Sequence, residues 1–502
     1  MKLHPDVAAL LGAWRDAPGG DDELRARITA TVLALRNLRR DRPALFAPEA
    51  ARLVRPAAAA VTAPAAVTAV VMAAAAARPS ARTAADPSAV LKEVFGFPSF
   101  RPGQRDLVDA VLAGRDALGV LPTGSGKSLT YQLPARMLGG VTLVVSPLIA
   151  LMKDQVESMG RVGLRATYLN SSLEAEERRS RVAGIRRGDY ELVYAAPEGL
   201  EGAAGAALAG ARLSLLAVDE AHCISHWGHD FRPAYRNLAG LRARFGNAPV
   251  LALTATATPK VATDIAEQLG MRDPVISRGS VFRPNLRLEV VKKGGDGVKS
   301  REEILDRVRA RRGESGIVYC IARKSAESVA EFLRSRKVKA LAYHAGLEAG
   351  ERERVQDAFL RGRADVVVAT VAFGMGIDKP DIRFVIHRDM PGSIEGYCQE
   401  IGRAGRDGEP SDCVLLYSWA DVMAHDRLAE SSDDQEAARF QRQKARAMFE
   451  WAEASGCRHK LLGRHFGEQL DPCGASCDTC APGRDVRAQA APVRRTASRR
   501  SR

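Results

Sequence analysis

Residues 116–128 read DALGVLPTGSGKS. An apolar run ends at Pro122, and a turn with two glycines leads into Lys127 and Ser128 at the head of a helical segment. A strand, a glycine turn and a helix in that order form a phosphate cradle. Gly124 and Gly126 let backbone N–H groups close around phosphate oxygens, with Thr123 and Ser125 completing the loop and the helix dipole favouring the anion. Lys127 would reach the β and γ phosphates, and the Ser128 hydroxyl would ligate Mg²⁺. Leu121 stands where the common pattern has glycine, so the match is imperfect.

Outward from this loop the chain alternates between β-branched runs and helical segments. DALGVLP, VTLVVSP, LSLLAVDE and PVLALTATA come first, then SGIVYC, ADVVVAT and RFVIHRD. Short strands buried on both faces and separated by amphipathic helices predict parallel α/β sheets. The run breaks at SRGSVFRPNLRLEV (277–290), which predicts two α/β domains, 89–283 and 284–430. A helical, cysteine-bearing module over 431–482 and a basic tail over 483–502, read as disordered, complete the chain. Residues 1–88 form an Ala- and Arg-rich extension with no visible chemistry.

The length of 502 residues calls for several folded units, and a net charge of +14 favours a polyanionic partner. The N-terminus lacks the pattern of a secretory signal, which predicts a cytoplasmic protein. Residues 57–77 run uncharged for about a bilayer span, but alanine is only marginally apolar and Pro64 interrupts them, so no membrane span is expected. Cys223, Cys320, Cys398 and Cys413 are scattered singly and read as buried reduced thiols.

Asp219 and Glu220 close the apolar run LSLLAV. Downstream of a phosphate loop, such a pair suits an Mg²⁺-holding carboxylate and a general base for the attacking water. Arg403 and Arg406 in QEIGRAGRDG are three residues apart, which on a helical turn would aim both guanidinium groups at a shared γ-phosphate. One residue after the carboxylates comes HCISHWGHDFRPAY (222–235), a density of rings and cations that phosphate chemistry alone does not need.

These stretches together resemble the RecQ helicases of helicase superfamily two. The resemblance runs over residues 93–480 through FGFPSFRPGQ, LPTGSGKS, SPLIALMKDQV, DEAHCISHWGHDFRP, LALTATA, FRPNL, YHAGL, ATVAFGMGIDKPDIRFVIH and QEIGRAGRDG in order. It implies two tandem RecA-like domains followed by a helical zinc-binding module. It implies that Gln104 reads the adenine edge, with Phe97 and Arg101 packing on the base. Thr254 and Thr256 would link the nucleotide and DNA sites, while Gly374, Gly376, Asp378 and Gln399 would lie near ATP and the domain interface. Trp227, His229, Phe231 and Arg232 would form a loop that senses single-stranded DNA and reports to Glu220. His226 stands where the family usually has glutamine.

Cys473, Cys477 and Cys480 lie in CGASCDTC, with Cys457 sixteen residues upstream. Thiolates at such spacing can share one tetrahedral, structural zinc, as the resemblance also implies. His459 and His465 are alternative ligands, expected instead on a helix surface. Only 22 residues follow Cys480, too few for the winged-helix and helical nucleic-acid-binding domains that many family members carry there. The expectation is an ATP-, Mg²⁺- and Zn²⁺-dependent 3′–5′ DNA helicase of recombination and repair. It would act as a monomer on single-stranded, tailed or forked DNA, associated with the nucleoid and meeting single-strand-binding protein. The rivals are a DNA-stimulated translocase or strand-annealing factor that unwinds weakly, and a non-catalytic, zinc-stabilised nucleic-acid-binding protein.

Overall fold

The computed structural model describes residues 86–482, apart from 148, 171, 201, 226, 229, 231, 239, 245–247, 295–296, 375–378 and 431–433. The expected N-terminal extension up to residue 85 and the whole basic tail lie outside the described residues, as do His226, His229, Phe231, Gly376 and Asp378.

Thirteen strands are described, β1 (Ala117–Val120), β2 (Val141–Val145), β3 (Ala166–Leu169), β4 (Leu192–Ala195), β5 (Leu213–Val218), β6 (Val250–Thr254), β7 (Val275–Arg278), β8 (Leu286–Lys292), β9 (Ser315–Tyr319), β10 (Ala340–Tyr343), β11 (Val366–Ala369), β12 (Ile382–His387) and β13 (Ser411–Tyr417). They form two sheets, with orders β3-β4-β2-β5-β6-β1-β7 and β10-β11-β9-β12-β13-β8, and every pairing is parallel.

Alternation of side chains along each strand builds two cores per sheet. Leu118 and Val120 pack on one face of β1 with Leu143, Val145 and Val218, while Ala117 and Leu121 pack on the other with Val144 and Leu253. The second sheet repeats the arrangement, with Val367 and Val385 on one face and Val366, Val368, Phe384 and Ile386 on the other. Each fully buried Leu or Val stabilises the fold by about 1.5–3 kcal/mol. An exposed pair such as Arg187–Asp189, its side chains 62% and 44% accessible, contributes less than about 1 kcal/mol. The sheet cores therefore dominate.

The seven apolar runs all become strands. The break at 277–290 contains the end of β7 and the start of β8, so the connection between the sheets is short. β8 is an edge strand in which buried Leu286 and Leu288 alternate with accessible Arg287 and Glu289 before an accessible end, which is why it lacks the continuous apolar look of a central parallel strand.

After β13 the chain is helical. The helix Gln435–Glu453 is capped by Asp434, whose Oδ1 accepts from the N–H groups of Glu436 (3.0 Å) and Ala437 (2.9 Å). Its C-terminal end is closed by Arg458, which donates to the carbonyls of Trp451, Ala452 and Ala454 and pairs with Asp478. Residues 476–478 then run beside β8. Leu288 and Cys477 form a parallel bridge, with Leu288 N–H donating to Ser476 O (3.0 Å) and Asp478 N–H donating to Leu288 O (2.9 Å).

Candidate nucleotide site and DNA-sensing loop

Three C-terminal strand ends converge in the first sheet, where β6 lies between β1 and β5. The phosphate loop follows β1, Asp219–Glu220 follow β5, and Thr254–Thr256 follow β6. A crevice outside the carboxyl ends of parallel strands is where open α/β sheets bind ligands.

Lys127 is half-buried at the loop, and its ammonium donates to Leu121 O at 3.2 Å. Burial pulls its pKa down, and the Glu220 and Asp219 carboxylates oppose that shift. Asp219 moves the other way. Burial, then its neighbour Glu220, lifts it above the usual carboxylate range, and Lys127 compensates only in part. Glu220 Oε2 is buried without a hydrogen bond, although His222 Nδ1 lies 3.4 Å away. An under-neutralised carboxylate pair beside a serine hydroxyl is a fitting donor set for a hard divalent cation, which takes oxygen ligands. Asp219, through water or directly, and Ser128 would hold Mg²⁺ there.

Gln104 and Arg101 turn inward. Gln104 Nε2 donates to the carbonyls of Ser125 (2.9 Å) and Gly126 (3.0 Å), and its Oε1 accepts from Arg101 N–H (2.8 Å). Arg101 also donates to Gly124 O. The amide expected to read adenine is thus buried on the phosphate loop, while Phe97 is 50% exposed. Gly124 and Gly126 have φ of +84° and +78°, a conformation other residues adopt only with strain.

The second sheet brings its arginine segment against this loop. The helix Ile394–Ile401 ends before Arg403, so Arg403 and Arg406 lie in a turn rather than on the helical turn that their spacing suggested. They diverge. Arg403 is buried against Gly374 and Tyr319. Arg406 lies over the phosphate loop, its side chain 3.5 Å from the Cβ position of Gly124 and its charge felt by Lys127. Gln399 Nε2 donates to Thr256 Oγ1 at 3.4 Å across the same junction.

A hydrogen-bond chain leads from there towards the carboxylates. Thr254 Oγ1 donates to Thr256 O (3.2 Å) and accepts from Thr256 N–H (3.3 Å), and it lies 2.9 Å from His222 Nδ1. With that hydroxyl donating to Thr256, His222 Nδ1 carries the proton. Nε2 faces the Cys223 sulfur 3.7 Å away, and that thiol is also within reach of Asp230 Oδ2 at 3.9 Å. Burial holds His222 down at about 4, so the ring is neutral.

Five residues beyond His222, Trp227 leaves the site and meets the C-terminal helices. Its ring packs edge-to-face with Phe440 at 4.2 Å, and the Lys260 ammonium lies 2.9 Å from its centroid. Lys444 donates to Trp227 O at 2.7 Å and also to Gly228 O. Arg232 is held by Asp230 at 3.0 Å. Phe440 and Lys444 were invisible to motif reading, since nothing in their local sequence marks a partner some two hundred residues away, and Lys260 is likewise unmarked although it lies much nearer in the chain.

The four clustered cysteines converge. The Sγ atoms of Cys457, Cys473, Cys477 and Cys480 all lie within 4.8 Å of one another, and those of Cys457 and Cys477 are 4.0 Å apart. That spacing suits four thiolates around one zinc at Zn–S distances near 2.3 Å. Burial raises the Cys477 thiol, but hydrogen bonds from Thr479 and from backbone N–H groups outweigh it and bring it down to about 7. His459 departs from expectation. It is buried, with Nε2 3.2 Å from Leu286 O and 3.1 Å from Ser476 O, and it ties β8 to the cysteine loop. His465 pairs with Glu395 at 2.9 Å.

Residues 101–265 match the DEAD/DEAH box helicase family, 299–408 the helicase conserved C-terminal domain, and 419–481 the RecQ zinc-binding family. The ATP-dependent DNA helicase RecQ of Bacillus subtilis is 42% identical over 401 residues, which cover 79% of this chain and 67% of that protein. The chain belongs to the RecQ family. The RecQ proteins of Pasteurella multocida and Haemophilus influenzae are 46% and 45% identical over 78% of this chain, which spans 61% and 63% of their lengths. The RecQ fold is also similar to more distant solved helicases. Mycobacterium smegmatis Lhr, bound to ssDNA and AMP-PNP, matches with a TM-score of 0.53 at 24% identity, over 73% of this chain and 58% of that one. Saccharomyces cerevisiae Dbp5, bound to RNA and ADP BeF3, matches at 0.53 and 15% identity, over 72% and 97%.

Proposed function

We propose that this RecQ-family chain is an ATP- and Mg²⁺-dependent DNA helicase that moves 3′ to 5′ along single-stranded DNA in recombination and repair. The observation that carries the proposal is the close approach of the Arg406 side chain to the phosphate loop at Gly124 and Lys127. It joins the two sheets where γ-phosphate would lie, so hydrolysis can be coupled to their relative motion. Bound Mg²⁺ would neutralise charge on the β and γ oxygens. Lys127 holds those phosphates, Glu220 takes the proton of the attacking water, and Arg406 with Arg403 offsets the developing charge. Thr123, Gly124, Ser125 and Gly126 wrap the phosphates. Gln104 with Phe97 and Arg101 meets the base, and Gln399, Gly374 and Asp378 border the cleft.

Trp227, with His229, Phe231 and Arg232, would contact single-stranded DNA and transmit its presence through the short path to His222 and Glu220. Zn²⁺ on Cys457, Cys473, Cys477 and Cys480 would be structural, because four thiolates leave no open position. Single-stranded and tailed or forked DNA are the proposed substrates, in keeping with the net charge of +14. Among the described residues no helix is long and apolar enough to cross a membrane. We place the protein in the cytoplasm at the nucleoid, as a monomer that meets single-strand-binding protein on shared DNA.

The test is strand separation of 3′-tailed, 5′-tailed and blunt duplexes, with Lys127→Ala as control. ATP-dependent opening of the 3′-tailed duplex alone is expected. DNA-stimulated ATP turnover with no strand separation would replace the helicase by a translocase.

A further inference from the structure

The segment FRPN (282–285) has no task in this scheme, yet it sits between its parts. It connects β7 of the first sheet to β8 of the second. Arg283 Nη2 donates to the carbonyls of Ala404 (3.2 Å) and Gly405 (2.6 Å), and its Nε donates to Asn285 Oδ1 (3.2 Å). Asn285 Nδ2 donates to Gly405 O (2.9 Å) and Glu409 O (3.0 Å), and its own carbonyl accepts from Ser411 N–H (2.9 Å). Gly405 O thus receives two side-chain donors, and it lies between Arg403 and Arg406.

The turn has little room to choose another shape. Gly405 has φ +54°, and a Cβ there would meet Asn285 Nδ2, Glu409 O at 2.7 Å and Ser411 Oγ at 2.9 Å. Arg283 itself is half-buried, and among the described residues no carboxylate pairs with it at ion-pair distance. A guanidinium desolvated without an acid partner spends its donors on backbone carbonyls, a geometry its planar fork can satisfy and a lysine cannot reproduce. Arg283 also lines the small cavity between the sheets with Pro122, Thr123, Cys398 and Gly402.

The same segment is braced from outside. Phe282 stacks edge-on against His459 at 5.0 Å, and His459 bonds Leu286 O. Three residues past Asn285, Leu288 is bridged to Cys477. FRPN therefore stands between a fixed knuckle and the arginine turn.

We propose that Arg283 and Asn285 are positioning residues that set Arg406 over the phosphate loop, and Arg403 in its place beside Gly374, by holding the carbonyls of Ala404 and Gly405. The inference rests on the reading that ATP is hydrolysed at this loop. Neither residue reaches the reacting atoms, and both act through the turn. Misplacing a charge-stabilising group by an ångström costs up to about a hundredfold in rate without a matching change in ground-state binding.

The experiment compares the full-length wild type with Arg283→Ala, Arg283→Lys, Asn285→Ala, Arg406→Ala and the double variant Arg283→Ala/Arg406→Ala. It measures ssDNA-stimulated kcat and KM for ATP, binding of a fluorescent ADP analogue, and thermal melting. Arg283→Ala is expected to lower kcat by about ten- to a hundredfold, with KM and ADP affinity within about twofold and the melting transition retained. Asn285→Ala should show a smaller loss of the same kind, and Arg283→Lys should recover only part of the rate. The double variant should turn over no more slowly than Arg406→Ala alone, because the two act as one unit. Wild-type kcat in both Arg283→Ala and Asn285→Ala, or multiplied losses in the double variant, would overturn the proposal. If Arg283→Ala fails to fold, Asn285→Ala decides by the same kcat and KM criteria. A wild-type chain without ATP turnover would refute the hydrolase reading instead, and the control arm shows that directly.

Discussion

The two flanks of Glu220 are built differently. On the nucleotide side, Lys127, Ser128, Gln104 and Asp219 come from contiguous motifs, and their contacts close within one sheet's strand ends. On the side proposed to face DNA, Trp227 is held by Phe440 and Lys444 of the helix Gln435–Glu453 as well as by Lys260. The phosphate cradle itself is assembled locally, with Arg406 and Gln399 reaching it from the second sheet, whereas the loop proposed to respond to DNA is gripped by a separate module. That grip is made of one ring contact, one cation and one ammonium on two carbonyls, which is modest enough for DNA to compete with.

The sharpest way to break this contrast is at the phosphate loop. Lys127→Ala should reduce ATP turnover by at least about 10²–10³-fold, since it removes a fixed charge from the transferring phosphoryl group. Affinity for single-stranded DNA should persist in a direct binding assay. Equal loss of both would mean that the two flanks are not separable. Next in size is the zinc module. Cys477→Ser should strip protein-bound zinc and lower the melting temperature by at least about 5 °C, because metal binding there is also folding energy. A zinc-free variant melting with the wild type would show that the β8 bridge and Arg458 suffice. The smallest effect is the most informative about the loop. Phe440→Ala removes an edge-to-face contact of about 0.5–1.5 kcal/mol. The ssDNA concentration for half-maximal ATPase stimulation should therefore fall about two- to tenfold. An unchanged or raised value would make Phe440 a scaffold rather than a latch.

The same contrast explains what was legible in the sequence. Seven of the interior strands announced themselves because parallel sheets bury both faces, although the equally buried β4 and β13 were not among the runs read as strands. The phosphate loop announced itself because its glycines and lysine are adjacent in the chain. β8 was hidden by its alternating edge pattern. His459 was taken for a surface residue because its partners, Leu286 and Ser476, come from two distant segments. The spacing of Arg403 and Arg406 suggested a helix, but Gly405 in its left-handed conformation makes a turn and separates them. What local spacing cannot carry is direction in space. For the same reason Phe440 and Lys444 had no signal of their own.

The most direct test of the account is ATP turnover of Trp227→Ala with and without single-stranded DNA, with DNA affinity measured in parallel. The account predicts that basal turnover remains while DNA stimulation falls by at least about tenfold, as expected when a stacking contact and its link to Glu220 are lost together. Full stimulation in that variant would contradict it, and would move the sensing of DNA away from the segment that follows Asp219 and Glu220.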